Sequence, residues 1–251
     1  MPSEGLSTMR SLERAIDVLE VLENARAPLR LSEIARRAGL HVATTQRILA
    51  VLERRERVEH DGMTYRTGVA MLFGAHSYLA TSALAQSAHP VLQELASSTG
   101  LTTSIFVRTG WSRAVIARVE GTRPLRYELP IGERLPLQLG AGKVLTADMA
   151  RDEIKQLLDQ TGPIVAADGR RITRKAFMAE LAKIRQQGFG VAYSERVLGM
   201  ASVAAPVLRS DGHYAAAVQV SALAEDLKSQ ELELLSVEVR RAAAAVSQRL
   251  P

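Results

Sequence analysis

The stretch Leu31 to Leu52, LSEIARRAGLHVATTQRILAVL, decides the fold. Ser32 has the hydroxyl of a helix N-cap for a short run from Glu33 to Ala38. Gly39 is a natural residue just past the end of that helix. A third helix follows over about Val42 to Arg54. Thr45, Ile48, Leu49 and Leu52 recur at three and four and form its buried side, which leaves Thr44, Gln46, Arg47 and Arg54 on or near the outer side. Upstream, Met9 to Glu23 reads as the first helix, with Leu12, Ala15, Ile16, Leu19 and Leu22 as its buried face. Ala27-Pro28 ends it, and Leu29 and Leu31 read as a short extended piece. Downstream, strands at Val58 to His60 and Thr64 to Arg66 flank Asp61-Gly62, a tight-turn dipeptide. Helix, helix, turn, helix and basic hairpin is the order of a winged helix-turn-helix over residues 9–70.

That order carries a chemistry. The major groove admits one α-helix and is read by side chains near the helix start. Thr44, Thr45 and Gln46 can exchange hydrogen bonds with base edges or touch a thymine methyl, and Arg47 can reach guanine or phosphate. Arg55, Arg57 and Arg66 on the wing suit backbone phosphates or the minor groove. Ser32, Arg54 and Tyr65 complete the candidate DNA-contacting set. The bland alternative is a three-helix bundle with a solvated polar face. The hairpin argues against it, and so does the charge: Arg26 to Arg66 holds nine arginines and five acids.

The whole chain has 251 residues and a net charge of +5, a mild excess concentrated in that segment. There is no cysteine, which excludes disulfides, thiolate metal sites and cysteine nucleophiles. No apolar run approaches the ~20 residues of a membrane span, and MPSEGLSTMR lacks the apolar core of a signal peptide; the expected location is cytoplasmic. The five histidines show no metal spacing, and no GxSxG elbow occurs. LGAGKV resembles a phosphate-binding loop but has Leu137 and Val144 where the loop needs glycine and a hydroxyl residue. No catalytic residue, metal or cofactor is expected.

An apolar helix over about 69–80 and a second over about 82–98, with Pro90 inside, place a linker at 71–86. The remaining residues, 87–251, alternate strands and helices. Strands are expected at 102–108, 113–120, 125–129, 190–193, 201–209 and 213–221, the last two joined by Asp211-Gly212. Helices are expected at 141–149, 151–160, 173–187 and 224–249, with a loop over 161–171. This is an α+β domain with an antiparallel sheet.

Met9 to Gly68 resembles the DNA-binding domain of IclR-type transcriptional regulators, through SLERAIDVLEVL, LSEIARRAGL, TTQRIL and YRTG. GERLPLQLGAGKVL (132–145), GFG after IRQQ, ERVLGMASVAAP (195–206) and AAAVQVS resemble the family's effector-binding domain. The resemblance implies a GAF-like sensor, a homodimer formed through the N-terminal half, often a dimer of dimers, and double-stranded operator DNA as partner. It implies effector contacts at Gly140, Ala141, Met200, Ser202, Gln219 and Ser221. Amides of Gly140 and Ala141, where a helix begins, suit a carboxylate. Gln219 and Ser221 share one strand face, and pairing about Asp211-Gly212 sets Ser202 opposite Ser221. This chain departs from the family at His41, Val42 and Ala43, which open the recognition helix in place of proline and lysine or serine. Ala192 stands where an acid is common, Ser202 where a cysteine is, and Gln219 where a serine is. The lost acid favours an anionic or neutral effector.

The expectation is therefore a DNA-binding regulator, a repressor, answering to a small organic effector such as an acid or aromatic metabolite. Two rivals are an enzyme with an N-terminal interaction module and an architectural DNA binder without ligand. The enzyme lacks any nucleophile or carboxylate set to work with.

Overall fold

A computed structural model describes residues 5–123, 129–227 and 229–250. The chain divides into two compact units, Met1–Ala80 and Thr81–Pro251.

The first unit contains α1 (Gly5–Glu23), α2 (Leu31–Arg37), α3 (Val42–Arg54), β1 (Val58–His60), β2 (Tyr65–Thr67) and α4 (Met71–Thr81), which reaches the boundary. Its core is built from Val18, Leu22, Leu29, Ile34, Leu49, Val58 and Tyr65. Leu29 pairs with Tyr65 through two backbone hydrogen bonds, 2.9 and 2.8 Å, adding a rung to the β1–β2 hairpin. Three expectations change here. First, α2 begins at Leu31 with Arg30 as an N-cap that makes no side-chain bond, so Ser32 lies within the first turn and does not cap it. Second, α1 buries Val18 and Leu22 whereas Leu12 and Ile16 stay 57% and 46% exposed; the first half of its apolar stripe finds nothing to cover it in this unit. Third, α4 buries no residue at all, although Leu72 and Phe73 lie on it.

The second unit contains α5 (Ala83–Thr99), β3 (Thr102–Thr109), β4 (Ser112–Val119), β5 (Arg134–Pro136), α6 (Ala141–Ala147), α7 (Arg151–Thr161), β6 (Ile164–Val165), β7 (Arg171–Ile172), α8 (Arg174–Gln187), β8 (Gly190–Tyr193), β9 (Met200–Leu208), β10 (Tyr214–Leu223), a 3₁₀ turn (Ala224–Asp226) and α9 (Ser229–Ser247). The main sheet runs β5-β4-β3-β10-β9-β8, and its neighbours are antiparallel. Helix α5 packs on one face, where the Thr103 hydroxyl donates to the Leu92 carbonyl at 3.0 Å. The other face, reached by Ser104 and Gln219 through strand alternation, carries α6, with α8 beside α6. The two units therefore make a mixed α+β chain.

Several expectations shift. The 71–86 linker includes the first turn of α5, which Ser82 caps by accepting the Ala85 N–H at 3.3 Å. The 161–171 loop holds the β6–β7 hairpin, and the terminal helix splits into the 3₁₀ turn and α9. The strand expected at 125–129 lies outside the described residues except for Leu129, which is buried. Ser202 does pair with Ser221, by a different route from simple counting. Arg209 and His213 close a turn one residue longer than a two-residue loop, and a bulge between Tyr214 and Ala216 restores the register.

Every residue of α6 is buried. Its approach to the preceding segment needs Gly142, where a Cβ would stand 2.4 Å from the Leu137 carbonyl oxygen. Gly142→Ala is expected to lower stability by about 1–3 kcal/mol through forced backbone shifts. Urea unfolding of the variant checks this; an unchanged midpoint would refute the close approach.

Candidate functional site

The outer face of the first unit is built by α3. Thr44 is half-buried, whereas Gln46, Arg47, Arg54 and Arg55 are exposed, and their side chains make no hydrogen bond or ion pair among the described residues. Two residues expected on this face belong to the core instead. Thr45 is fully buried, and its hydroxyl donates to the His41 carbonyl at 3.2 Å, so it seats the helix and cannot read a base. Tyr65 is 9% exposed and stacks on His60 with ring centroids 4.1 Å apart, so its ring braces the wing from inside.

The remaining candidates are exposed. Arg57 donates to the Ala70 carbonyl at 3.2 Å, tying the base of the wing to the residue before α4. Arg66 is paired across the hairpin with Glu59 at 2.7 Å, an exposed bridge of little energetic weight. Ser32 is exposed in the first turn of α2. At the wing tip, Asp61 accepts from the Met63 and Thr64 amides and the Thr64 hydroxyl at 2.7–2.9 Å. The Thr64 amide, then the others, bring its pKa down from 3.8 to about 2. The turn's stabilisation is thus present above the ordinary carboxylate range and lost as pH falls through about 2.

In the second unit, a cavity lies on the α6 face of the sheet. It encloses about 590 Å³ including its open mouth, and Gly140, Met200, Ser202, Gln219 and Ser221 all line it. Strand register explains the grouping. Thr102, Ser221, Ser202 and Ala192 stand side by side across β3, β10, β9 and β8 as one rung, and Arg118, Ser104, Gln219 and Ala204 form the next. A bulge in the β3–β4 pairing, between Ile105 and Phe106, puts Arg113 and Arg118 on this same face, which strict alternation would separate.

Ala141 does not line the cavity, and the two amides are not vacant. The Gly140 N–H donates to Glu195 Oε2 at 2.8 Å, and the Ala141 N–H donates to Gln219 Oε1 at 3.2 Å. Gln219 Nε2 in turn donates to the Ser221 hydroxyl at 2.8 Å. The expected carboxylate site at the start of α6 is therefore filled by the protein's own side chains. Gly140 holds φ 57°, a left-handed conformation, and a Cβ there would meet Arg113 Nη2 at 3.1 Å.

Two cations absent from the expected set dominate the site. Lys143, fully buried, donates to Glu195 and Glu180, and also to the Val191 carbonyl at 3.2 Å. Arg113 is 1% exposed, with its guanidinium 4.6 Å from the Phe106 ring centroid. Its Nε and Nη1 are buried and have no hydrogen-bond partner among the described residues. Burial first, then the nearby Arg196, brings its pKa down from 12.5 to about 9, with Glu195 opposing. No helix among the described residues is long and apolar enough to cross a membrane.

A winged helix-turn-helix and a sensor-like sheet with a lined cavity define a ligand-binding transcriptional regulator in outline. Residues 11–62 match the IclR helix-turn-helix domain, and 76–248 match the bacterial transcriptional regulator IclR C-terminal domain. The chain belongs to the IclR family of transcriptional regulators, and its curated relatives are regulators rather than enzymes. It is 27% identical over 245 residues to the HTH-type transcriptional regulator XynR of Escherichia coli K12, covering 96% of this chain and 97% of that protein. It is 27% identical over 222 residues to the transcriptional repressor IclR of the same organism, covering 85% and 80%. The fold matches an IclR homolog from Microbacterium hydrocarbonoxydans complexed with 4-hydroxybenzoate, with TM-score 0.74, 21% identity, and 96% and 98% of the chains covered.

Lys143→Met is expected to destabilise the protein by about 3–5 kcal/mol, because it strands the buried Glu195 carboxylate. Urea unfolding at neutral pH measures it. A variant as stable as the natural chain would mean that Lys143 does not hold this site together.

Proposed function

We propose that this chain is a cytoplasmic repressor that binds a pseudo-palindromic operator as a homodimer, or a dimer of dimers, and releases or rearranges on it when a small organic effector enters the second unit. The observation that carries the reading is the split face of α3 and its C-cap: Thr45 and Leu49 are buried beneath, and the side chains of Gln46, Arg47, Arg54 and Arg55 stand outside, unpaired among the described residues. Long donor side chains without partners on a helix after a helix-turn suit base edges and phosphates.

In this reading Thr44, Gln46 and Arg47 read bases, and Ser32, Arg54 and Arg55 hold phosphates. Arg57 and Arg66 contribute charge from the wing, less than their number suggests, since each already has a partner. Assembly is supported by uncovered apolar side chains in the first unit, with Leu12, Leu72 and Phe73 each more than half exposed. Repression is supported by relatives named as repressors, among them the acetate operon repressor of Salmonella typhimurium. The effector reading is supported by the lined cavity and by the 4-hydroxybenzoate complex of the Microbacterium homolog.

The test begins with selection of bound DNA from a random pool, followed by titration of the selected operator. Arg47→Ala is expected to weaken specific binding by about 1–3 kcal/mol and to relax preference at one base pair. Arg55→Ala is expected to weaken all sequences alike and to lower the salt slope by about 1. Unchanged operator affinity for Arg47→Ala would remove α3 from the role of recognition helix.

A further inference from the structure

The sensor cavity contains a guanidinium, two of whose donors no described residue of the second unit answers. Arg113 lies on β4, nine-tenths and more buried, with two of its guanidinium nitrogens lacking any acceptor among the described residues. Its guanidinium lies over the face of Phe106. A ring quadrupole attracts a cation but accepts no hydrogen bond in the guanidinium plane, so those two donors stay without an acceptor among the described residues.

No carboxylate on the described wall answers them. Among the described cavity residues Glu195 is the only acid, and both of its oxygens are engaged: Lys143 donates to Oε1 and the Gly140 N–H to Oε2. The other charged residues on the wall, Arg118 and Arg196, have the same sign as Arg113. Arg118 already donates to the Leu129 carbonyl and lies 3.6 Å from Glu120. Among the described residues the wall thus carries three guanidiniums and one carboxylate, which Lys143 already pairs. Neutral hydroxyls of Thr102, Ser104, Ser202 and Ser221 also line it.

We propose that the ligand of this cavity is a small carboxylate and that the Arg113 guanidinium, not the amides at the start of α6, binds it. This deepens the effector reading above and rests on it. A planar carboxylate matches the geometry of a guanidinium fork. It would supply the acceptors that Arg113 lacks, and the hydroxyl rung would be left to recognise the rest of the molecule. A cation is excluded by like charge, and a neutral amide of the same shape leaves the guanidinium's charge unanswered. The internal pairing of Glu195 with Gly140 has a consequence: the carboxylate position at the helix start is filled before any ligand arrives, so the anion is directed to β4.

The competing explanation makes Arg113 a structural cation over Phe106. The two differ in what an apolar replacement does. An unpaired buried guanidinium held for a ligand opposes folding, so Arg113→Met, similar in length and apolar, should fold with a melting temperature equal to or above that of the natural chain.

The experiment uses the full chain in isothermal titration calorimetry and thermal-shift assays at millimolar ligand. The probes are pyruvate, benzoate and 4-hydroxybenzoate, each beside its primary amide. At least one acid is expected to bind, and its amide at least tenfold more weakly. Arg113→Met is expected to lose at least tenfold in affinity for that acid and to bind the amide within about twofold of the natural chain. Arg113→Lys, which keeps the charge but not the fork, is expected to fall between the two and serves if the methionine variant fails to fold. An amide that binds as tightly as its acid, or either variant binding the acid undiminished, would overturn the assignment of Arg113 while leaving a ligand-binding sensor in place. Failure of all six compounds to bind the natural chain would overturn the sensor reading and this assignment together.

Discussion

Lys143 is fully buried in a seven-residue helix whose every residue is buried, and an ammonium there must be matched in place. Glu180 on α8, Glu195 after β8 and the Val191 carbonyl on β8 match it. The site follows from that compensation. Glu195, held by Lys143 through one oxygen, gives the other to the Gly140 amide. That bond holds the left-handed glycine that starts α6, and Gln219 fixes the next amide from the sheet. The two ion pairs of Lys143 therefore join two helices and the end of a sheet strand, in a low-dielectric setting where removing one partner costs far more than the pairing adds.

The same economy leaves two donors of Arg113 without a partner among the described residues. Cores ordinarily satisfy buried donors, and here Glu195, the acid on the described wall, is held by Lys143 and the Gly140 amide. Locally unfavourable groups that a fold retains concentrate where function requires them. The first unit has its own version in the exposed Leu72 and Phe73 of α4 and Leu12 of α1, apolar side chains that make sense once a second surface covers them.

The order of elements was readable because it rests on short-range rules. Periodicity marked α3 to the residue, and Thr173 and Gly188 bracket α8 as a capping hydroxyl and a left-handed glycine do. The pocket residues on β9 and β10 came from the family resemblance, and strand parity agreed with them, though at Ser202 and Ser221 a longer turn and a bulge cancelled. What the sequence hid depends on tertiary context. Thr45 and Tyr65 carry polar atoms that suit DNA as well as they suit a core. Ser32 has the chemistry of a cap, but the helix starts before it. Arg113 in SRAVIARV looks like a solvated strand residue, and only the bulge in β4's pairing and the cover of α6 turn it into the cavity. Glu195 and Lys143 meet 52 residues apart, a contact that no local pattern announces.

The central claim is that occupancy of the second unit changes the grip of the first on DNA. Coupling of that kind is a difference in ligand affinity between two states, and it works equally in both directions. The direct measurement is operator affinity by fluorescence anisotropy, on the full chain with a selected operator, without ligand and at saturation with the tightest-binding carboxylate. The account expects the dissociation constant to change by about fivefold or more, the lower end of typical allosteric coupling. Equal operator affinity with the cavity empty and filled would contradict it.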